Sequence, residues 1–259
     1  MSIPKKVEVP AQKRLIDKRE WDWILWFDGG RYDTFADMYD QYFEGELQAV
    51  WNGDYGYTGD WTEAHLSQNF DELGLFSPVP LRDFGATDYD GRDWFKVAPN
   101  YRDLSQDEVH KRLASLGYLE MDEDDEVWKS HTDRVNKGAR QYFDEIEGGV
   151  IRYVKPHPPF EGLEILTSGS GKINRAKEAL EEDEITPEEL ERAYEETYRL
   201  AFEGTLDIVP DLDGKVVITA DHGECLYEEG CDQVFHARNL DPHKHLTVVP
   251  WFEVEEVKE

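Results

Sequence analysis

The chain has 259 residues, enough for one large α/β domain with a substantial core. Its 28 Lys+Arg against 58 Asp+Glu give a net charge of −30, which argues against non-specific attachment to nucleic acid or anionic lipid. At 39% hydrophobic and 13% aromatic it is too apolar for a disordered acidic chain; an acidic coat over an aromatic core fits a protein of high-salt surroundings, where charge is screened.

Residues 1–20 read as a polar, partly helical lead-in, and 21–259 as a single domain. The lead-in has no apolar core of the kind a secretory leader needs. No apolar run reaches the ~18 residues of a membrane span. Cys225 and Cys231 are near enough in sequence to close a small loop, but nothing else suggests a secreted disulfide framework, so free thiols are expected, and with them a cytoplasmic location without membrane insertion.

In chain order, the first strand is expected over 21–27 (WDWILWF), ending at Asp28. Gly29-Gly30 turns the chain into a helix over 31–43, and a short strand follows over 47–51. A Gly/Asp/Asn-rich loop, 52–61, leads to a helix over 62–70 with Thr62 as its N-cap or first residue. Residues 71–103 read as loop with a strand over 95–98. A helix over 105–116 starts with a Ser105/Glu108 capping box, and an acidic run fills 120–126. Then come a helix over 130–146, a strand over 149–155 ending in Pro156-His157-Pro158, and a polar connection over 161–185 with some helix. A long helix over 186–207 opens on Thr186, Pro187 and Glu189. The strand over 215–220 runs into Asp221-His222-Gly223-Glu224, a loop over 225–245 holds three histidines, and 247–254 closes as an edge strand because of Pro250. Alternating strands and helices predict an α/β three-layer sandwich, a mainly parallel central sheet with helices on both faces.

The chemistry gathers where strands end. The apolar run 216–219 suits a strand buried on both faces, and ionisable groups after such a strand lie at its carboxyl end, where open α/β sheets hold ligands. Asp221 and His222 are adjacent ligands suited to Zn²⁺ or Mn²⁺, with Mg²⁺ or Ca²⁺ as further options. Asp28 ends another apolar strand and is a third candidate ligand. Thr62 stands where a helix N-terminus would meet a phosphate oxygen, and Thr58, four residues earlier, is its rival. Arg31 and His157 are candidate substrate-facing groups. His236 is a candidate metal residue directed inward, while His243 and His245 read as solvent-facing.

Together these pieces resemble the alkaline phosphatase superfamily in its sulfatase-like branch, and within it small soluble proteins of halophilic archaea. The resemblance spans 23–253 through WILWFDGGRYD, GDWTEAHL, IRYVKPHPPFEG, GKVVITADHGE and VFHARN…LTVVPWFEVE. It implies Asp28, Asp221 and His222 as metal ligands, Thr62 as nucleophile, and His157 and His236 as groups facing substrate or a second metal. It also implies a covalent threonine intermediate released by water or an acceptor hydroxyl. The chain has no C/S-x-P-S-R motif and carries Asp-His where sulfatases carry Asp-Asn. The expectation is therefore a metal-dependent hydrolase or phosphotransferase for anionic phosphoric esters. The alternatives are a sulfuric-ester hydrolase and a non-catalytic, metal-stabilised binding or structural protein.

Overall fold

Apolar segments that end in charged residues build the centre of the sheet. The computed structural model describes residues 3–5, 8–77, 93, 95–97, 126–158, 160–163, 172–228, 231, 234–236 and 242–258. The strands are β1 (Trp23–Asp28), β2 (Phe43–Trp51), β3 (Phe70–Phe76), β4 (Phe95–Val97), β5 (Gly148–Pro156), β6 (Val216–Ala220), β7 (Cys225–Leu226), β8 (Val234–Phe235) and β9 (Val248–Val257). The helices are α1 (Gln12–Lys18), α2 (Tyr32–Met38), α3 (Thr58–Leu66), α4 (Glu126–Arg140), α5 (Lys172–Glu181), α6 (Pro187–Ile208) and α7 (Lys244–Thr247).

Seven strands pair in the order β2-β9-β6-β1-β5-β3-β4, and β7 and β8 form a separate hairpin. Strands β6, β1, β5, β3 and β4 are mutually parallel; β9 is antiparallel to both its neighbours. Every residue of β1, β5 and β6 is buried. That explains the apolar runs of β1 and β6, and of β5 apart from Arg152 and Lys155, each large apolar side chain contributing ~1.5–3 kcal/mol by leaving water. Successive β1 residues face opposite layers, as the two-residue pleat requires. Phe27 packs on Phe35 of α2 and on Tyr198 and Phe202 of α6, with ring centroids 6.4, 5.8 and 5.6 Å away. Trp26 meets Trp61 of α3 on the other face at 4.7 Å. The three-layer α/β architecture expected from the sequence is the one observed.

Several boundaries move. The second strand starts at Phe43, where a helix was expected to continue, because α2 ends at Met38 and a single 3₁₀ turn carries the chain into the sheet. Residues 70–76, expected as helix end and loop, form β3: Phe70, Leu73, Leu75 and Phe76 are buried beside β5, and Asp71-Glu72 only interrupt the apolar pattern. Helix α4 and a 3₁₀ turn share the segment expected as one helix over 130–146. Helix α6 has the capping box its sequence suggests, with Thr186 Oγ1 accepting the Glu189 N–H and Glu189 Oε2 accepting the Thr186 N–H. The lead-in packs into the domain: Ile16 joins the core and Gln12 is buried. The helix expected over 105–116 and the acidic run, but for Glu126, lie outside the described residues.

Strand β9 lies inside the sheet, between β2 and β6, not at its edge. Pro250 is tolerated there because β6 pairs only with Trp251, Phe252 and Glu253. The missing N–H falls where that ladder has ended, and the Pro250 carbonyl accepts the Thr219 hydroxyl instead. The cysteines also differ from expectation. Cys225 and Cys231 are joined in a disulfide, their Cα atoms 6.2 Å apart across the turn after β7, with Leu246 packed against them. Among the described residues, no helix is long and apolar enough to cross a membrane.

Candidate active site

Parallel register sets the site. Phe27 of β1 pairs with Ala220 of β6 on one side and Tyr153 of β5 on the other. The residues that follow, Asp28, Asp221-His222 and His157, therefore leave three adjacent strands at one edge. Close approach there demands glycine twice. Gly29 has φ +76°, and a Cβ on it would lie 2.6 Å from Glu224 Oε1. A Cβ on Gly223 would lie 1.9 Å from the His245 carbonyl oxygen.

The threonine at this edge is Thr58. Helix α3 starts one turn earlier than the sequence suggests, because Tyr57 is already extended and Thr58 is the first helical residue. Thr62 therefore lies inside the helix, and its hydroxyl donates to the Thr58 carbonyl at 2.7 Å, back along the helix. Thr58 Oγ1 donates to Asp221 Oδ2 at 2.7 Å, and lies 3.5 Å from both Asp28 Oδ1 and His222 Nε2. Asn52, at the end of β2, fixes the loop that delivers Thr58 by donating to the Tyr55 and Asp221 carbonyls. Behind the helix, Trp61 Nε1 donates to Gln12 Oε1, and Gln12 Nε2 donates to Thr219 Oγ1 and the Ala220 carbonyl. This buried bridge ties α3 to β6.

Asp28, Asp221 and His222 form a group whose ligand atoms lie within 4.8 Å of one another. His222 Nε2 is 3.7 Å from Asp28 Oδ1 and 3.5 Å from Asp221 Oδ2. A tetrahedral cation with bonds of about 2.1 Å needs ligand atoms roughly 3.4 Å apart, so these spacings fit one. Each ligand also has its other polar atom engaged away from the centre. Asp221 Oδ1 accepts the N–H groups of Gly29 and His222. His222 Nδ1 donates to the Gly223 carbonyl at 2.9 Å, which leaves the Nε2 lone pair facing the group. Asp28 Oδ2 accepts from Arg152 Nη2.

The electrostatics agree with a cation position. Burial alone would raise the Asp28 pKa, but Arg152, then His157, His222 and His236, outweigh it and hold the carboxyl at about 2. Burial raises Asp221, and the Asp28 charge adds to it. Two buried carboxylates split in this way share a proton or a cation.

The remaining predicted residues divide. His236 donates its Nδ1–H to Glu224, at 2.8 and 2.9 Å from the two carboxylate oxygens. Burial opposes its charge, but Glu224, with Asp28 and Asp221 behind it, raises it to about 9, so His236 is an imidazolium. His222, Glu224 and His236 make a second group at ligand spacing. The single Nε2 lone pair of His222 faces the first group, so Glu224 and His236 stand as a bonded pair. His157 lies against His236, ring centroids 4.9 Å apart, and burial lowers it to about 3, leaving it neutral. Arg31, expected to face substrate, is bound internally: Nε and Nη2 donate to Asp33, and Nη1 to Glu228 and the Glu224 carbonyl. His245, expected at the surface, is buried with Nδ1 3.6 Å from Asp33 and 3.5 Å from Glu228, and stacks on His243. Cys225, Cys231 and His243 also lie at ligand spacing, but the two sulfurs are committed to each other.

Sequence reasoning missed Arg152 and Glu224 as site residues. Both carried a signal: Arg152 is, with Lys155, one of two charges inside an otherwise apolar strand sequence, and Glu224 completes the DHGE turn.

No family model matches the chain. No curated protein matches it in sequence. In structure it is similar to the C-terminal periplasmic domain of phosphoethanolamine transferase EptC from Campylobacter jejuni, with TM-score 0.44 and 14% identity over 89% of this chain and 77% of that one. It is also similar to the soluble domain of lipooligosaccharide phosphoethanolamine transferase A from Neisseria meningitidis, with TM-score 0.45 and 12% identity over 89% and 75%. A third neighbour is the C-terminal periplasmic domain of EptC from Escherichia coli, in complex with Zn, with TM-score 0.47 and 9% identity over 90% and 71%. Likeness of this degree assigns no activity to the chain.

Proposed function

We propose that the protein transfers or hydrolyses phosphoryl esters, with Thr58 rather than Thr62 as the nucleophile. One observation carries this reading: the Thr58 hydroxyl stands among Asp28 Oδ1, Asp221 Oδ2 and His222 Nε2, at the first residue of a helix. Asp28, Asp221, His222 and Thr58 would hold a divalent cation, Zn²⁺ by the tetrahedral spacing. That cation would supply a lowered pKa for the hydroxyl and positive charge for the phosphoryl oxygens.

The residues supply the rest. With Asp221 Oδ2 committed as a ligand, Thr58 would enter the reaction with its proton already lost to solvent, and its oxygen attacks phosphorus. The N–H groups at the start of α3, the positive end of the helix dipole, would donate to phosphoryl oxygens. The bond from phosphorus to the ester oxygen breaks, and the departing oxygen takes a proton from the His236 imidazolium, which Glu224 orients. A phosphothreonine results. His236, now neutral, takes the proton of an incoming water or acceptor hydroxyl, whose oxygen attacks phosphorus and releases Thr58.

Turnover of an aryl phosphate and an aryl sulfate by Thr58→Ala and Thr62→Ala tests the assignment. Thr58→Ala is expected to lose at least ~10³-fold in kcat/KM. Thr62→Ala loses a hydrogen bond worth ~1 kcal/mol and stays within about tenfold of the wild type. Equal losses in the two variants would end the Thr58 assignment, and faster turnover of the sulfate would end the phosphoryl reading.

A further inference from the structure

We propose that Arg152 is a positioning residue that keeps Asp28 a one-oxygen ligand and thereby holds the cation site four-coordinate. The inference rests on the cation reading above. Arg152 takes Asp28 Oδ2, and only Oδ1 remains turned toward Thr58, at 3.5 Å, and His222 Nε2, at 3.7 Å. Asp221 and His222 are oriented in the same manner but by backbone: the N–H groups of Gly29 and His222 on Asp221 Oδ1, and the Gly223 carbonyl on His222 Nδ1. Among the described residues, Arg152 is the one outer partner of the three ligands that is a side chain, and so the one a substitution removes.

Arg152 is itself held in place. It is fully buried in β5, in register with Trp26 of β1, and its guanidinium lies 5.1 Å from the Trp26 ring centroid. Its Nη1 is 3.4 Å from Ser77 Oγ at the end of β3. A planar fork anchored at two points fixes one carboxylate oxygen; a lysine in its place keeps the charge without the fork. Once released, the Asp28 carboxylate can chelate through both oxygens. That mode suits larger cations with six to eight oxygen ligands, whereas a tetrahedral ion takes one atom from each ligand. Arg152 therefore bears on which cation the site prefers as well as on how tightly it binds.

The test uses the full chain stripped of metal and reloaded with Co²⁺, whose visible absorption is intense when four-coordinate and weak when six-coordinate. Affinities for Zn²⁺ and Mn²⁺ are measured by chelator competition alongside. Wild-type protein is expected to give the intense spectrum. In Arg152→Gln and Arg152→Lys the absorption should weaken severalfold, and the preference for Zn²⁺ over Mn²⁺ should narrow about tenfold. An unchanged spectrum and unchanged preference in both variants would overturn the inference alone and leave Arg152 a packing residue. A weak, six-coordinate spectrum in the wild type would also overturn it. No Co²⁺ or Zn²⁺ bound by the wild type would overturn the cation reading beneath it. Should Arg152→Gln fail to fold by thermal melting, Arg152→Lys, which keeps a cation beside Asp28 and Trp26, decides on the same readouts.

Discussion

At the carboxyl ends of β1 and β6, Asp28, Asp221 and His222 each give one polar atom to an outer partner and turn another toward Thr58. Three residues beyond Asp28 the logic reverses. Arg31 is forked onto Asp33, bonded to Glu228 and to a carbonyl, with His245 between the two carboxylates. Both clusters are buried and rich in charge. The inner one converges on a point with spacings that suit a cation; the outer one closes on itself. Burial and charge density alone therefore do not mark a site. What marks it is the direction in which the second polar atom of each residue faces.

The sharpest way to break that contrast is to remove a converging ligand. Asp221→Ala deletes the oxygen nearest Thr58 and the acceptor of two backbone N–H groups. It should weaken Zn²⁺ binding by at least ~100-fold in chelator competition, more than loss of an outer partner costs. Wild-type affinity in this variant would mean that the inner cluster is a hydrogen-bonded turn and that the two regions are alike.

The opposite substitution should cost stability and leave the ligands alone. Arg31→Met strands Asp33 and Glu228 without their shared guanidinium. Breaking a buried pair in this way costs ~3 kcal/mol, a little less here because Glu228 is 28% exposed. Urea unfolding should show that loss while Zn²⁺ affinity stays at the wild-type value. A matching fall in affinity would show that the outer cluster also orients the ligands.

The inner cluster was legible because β1 and β6 are buried on both faces. An unbroken apolar run that stops at an acid announces a strand end, and parallel pairing brings such ends together. Asp28, Asp221 and His222 could be read in this way, as could the layered fold. The position of α3 could not. Thr58 and Thr62 are one turn apart on the same helix face, and only the extended backbone at Tyr57 decides which of them opens the helix. Arg31 misled for a related reason: its neighbour Asp33 was visible, but Glu228 reaches it from nearly 200 positions away. Arg152 stood out as a charge within a mostly apolar strand, but its partner Asp28 lies 124 positions away. Backbone conformation decided the first of these cases and side-chain direction the other two, and residue type and spacing encode neither.

Acid separates the regions more gently. Arg31 lowers the pKa of Asp33 and of Glu228 against the opposing effect of burial. Their folded values lie below the unfolded ones near ~4. The stability they contribute is therefore fully present above about pH 4 and is lost as pH falls through the folded values. His65 acts earlier. It stacks on Trp61 inside α3, and burial lowers its pKa to about 4. Unfolded, it titrates near ~6.5, so the unfolded chain binds the extra proton first and stability declines between pH 6.5 and 4. His157 and His245, also lowered by burial, share that limb. His65→Phe keeps the stacking and removes the titration. Its stability, from urea midpoints at pH 7, 5 and 4, should fall less than the wild type's, by up to ~3 kcal/mol at pH 4. Arg31 itself lowers His245, so Arg31→Met should alter that residue's share of the upper limb as well as the part below about pH 4, but because His65 touches neither cluster the His65→Phe effect should be the same in the wild-type and Arg31→Met backgrounds. If the His65→Phe effect shrank in the Arg31→Met background, the helix that delivers Thr58 and the closed outer network would be one cooperative unit rather than two.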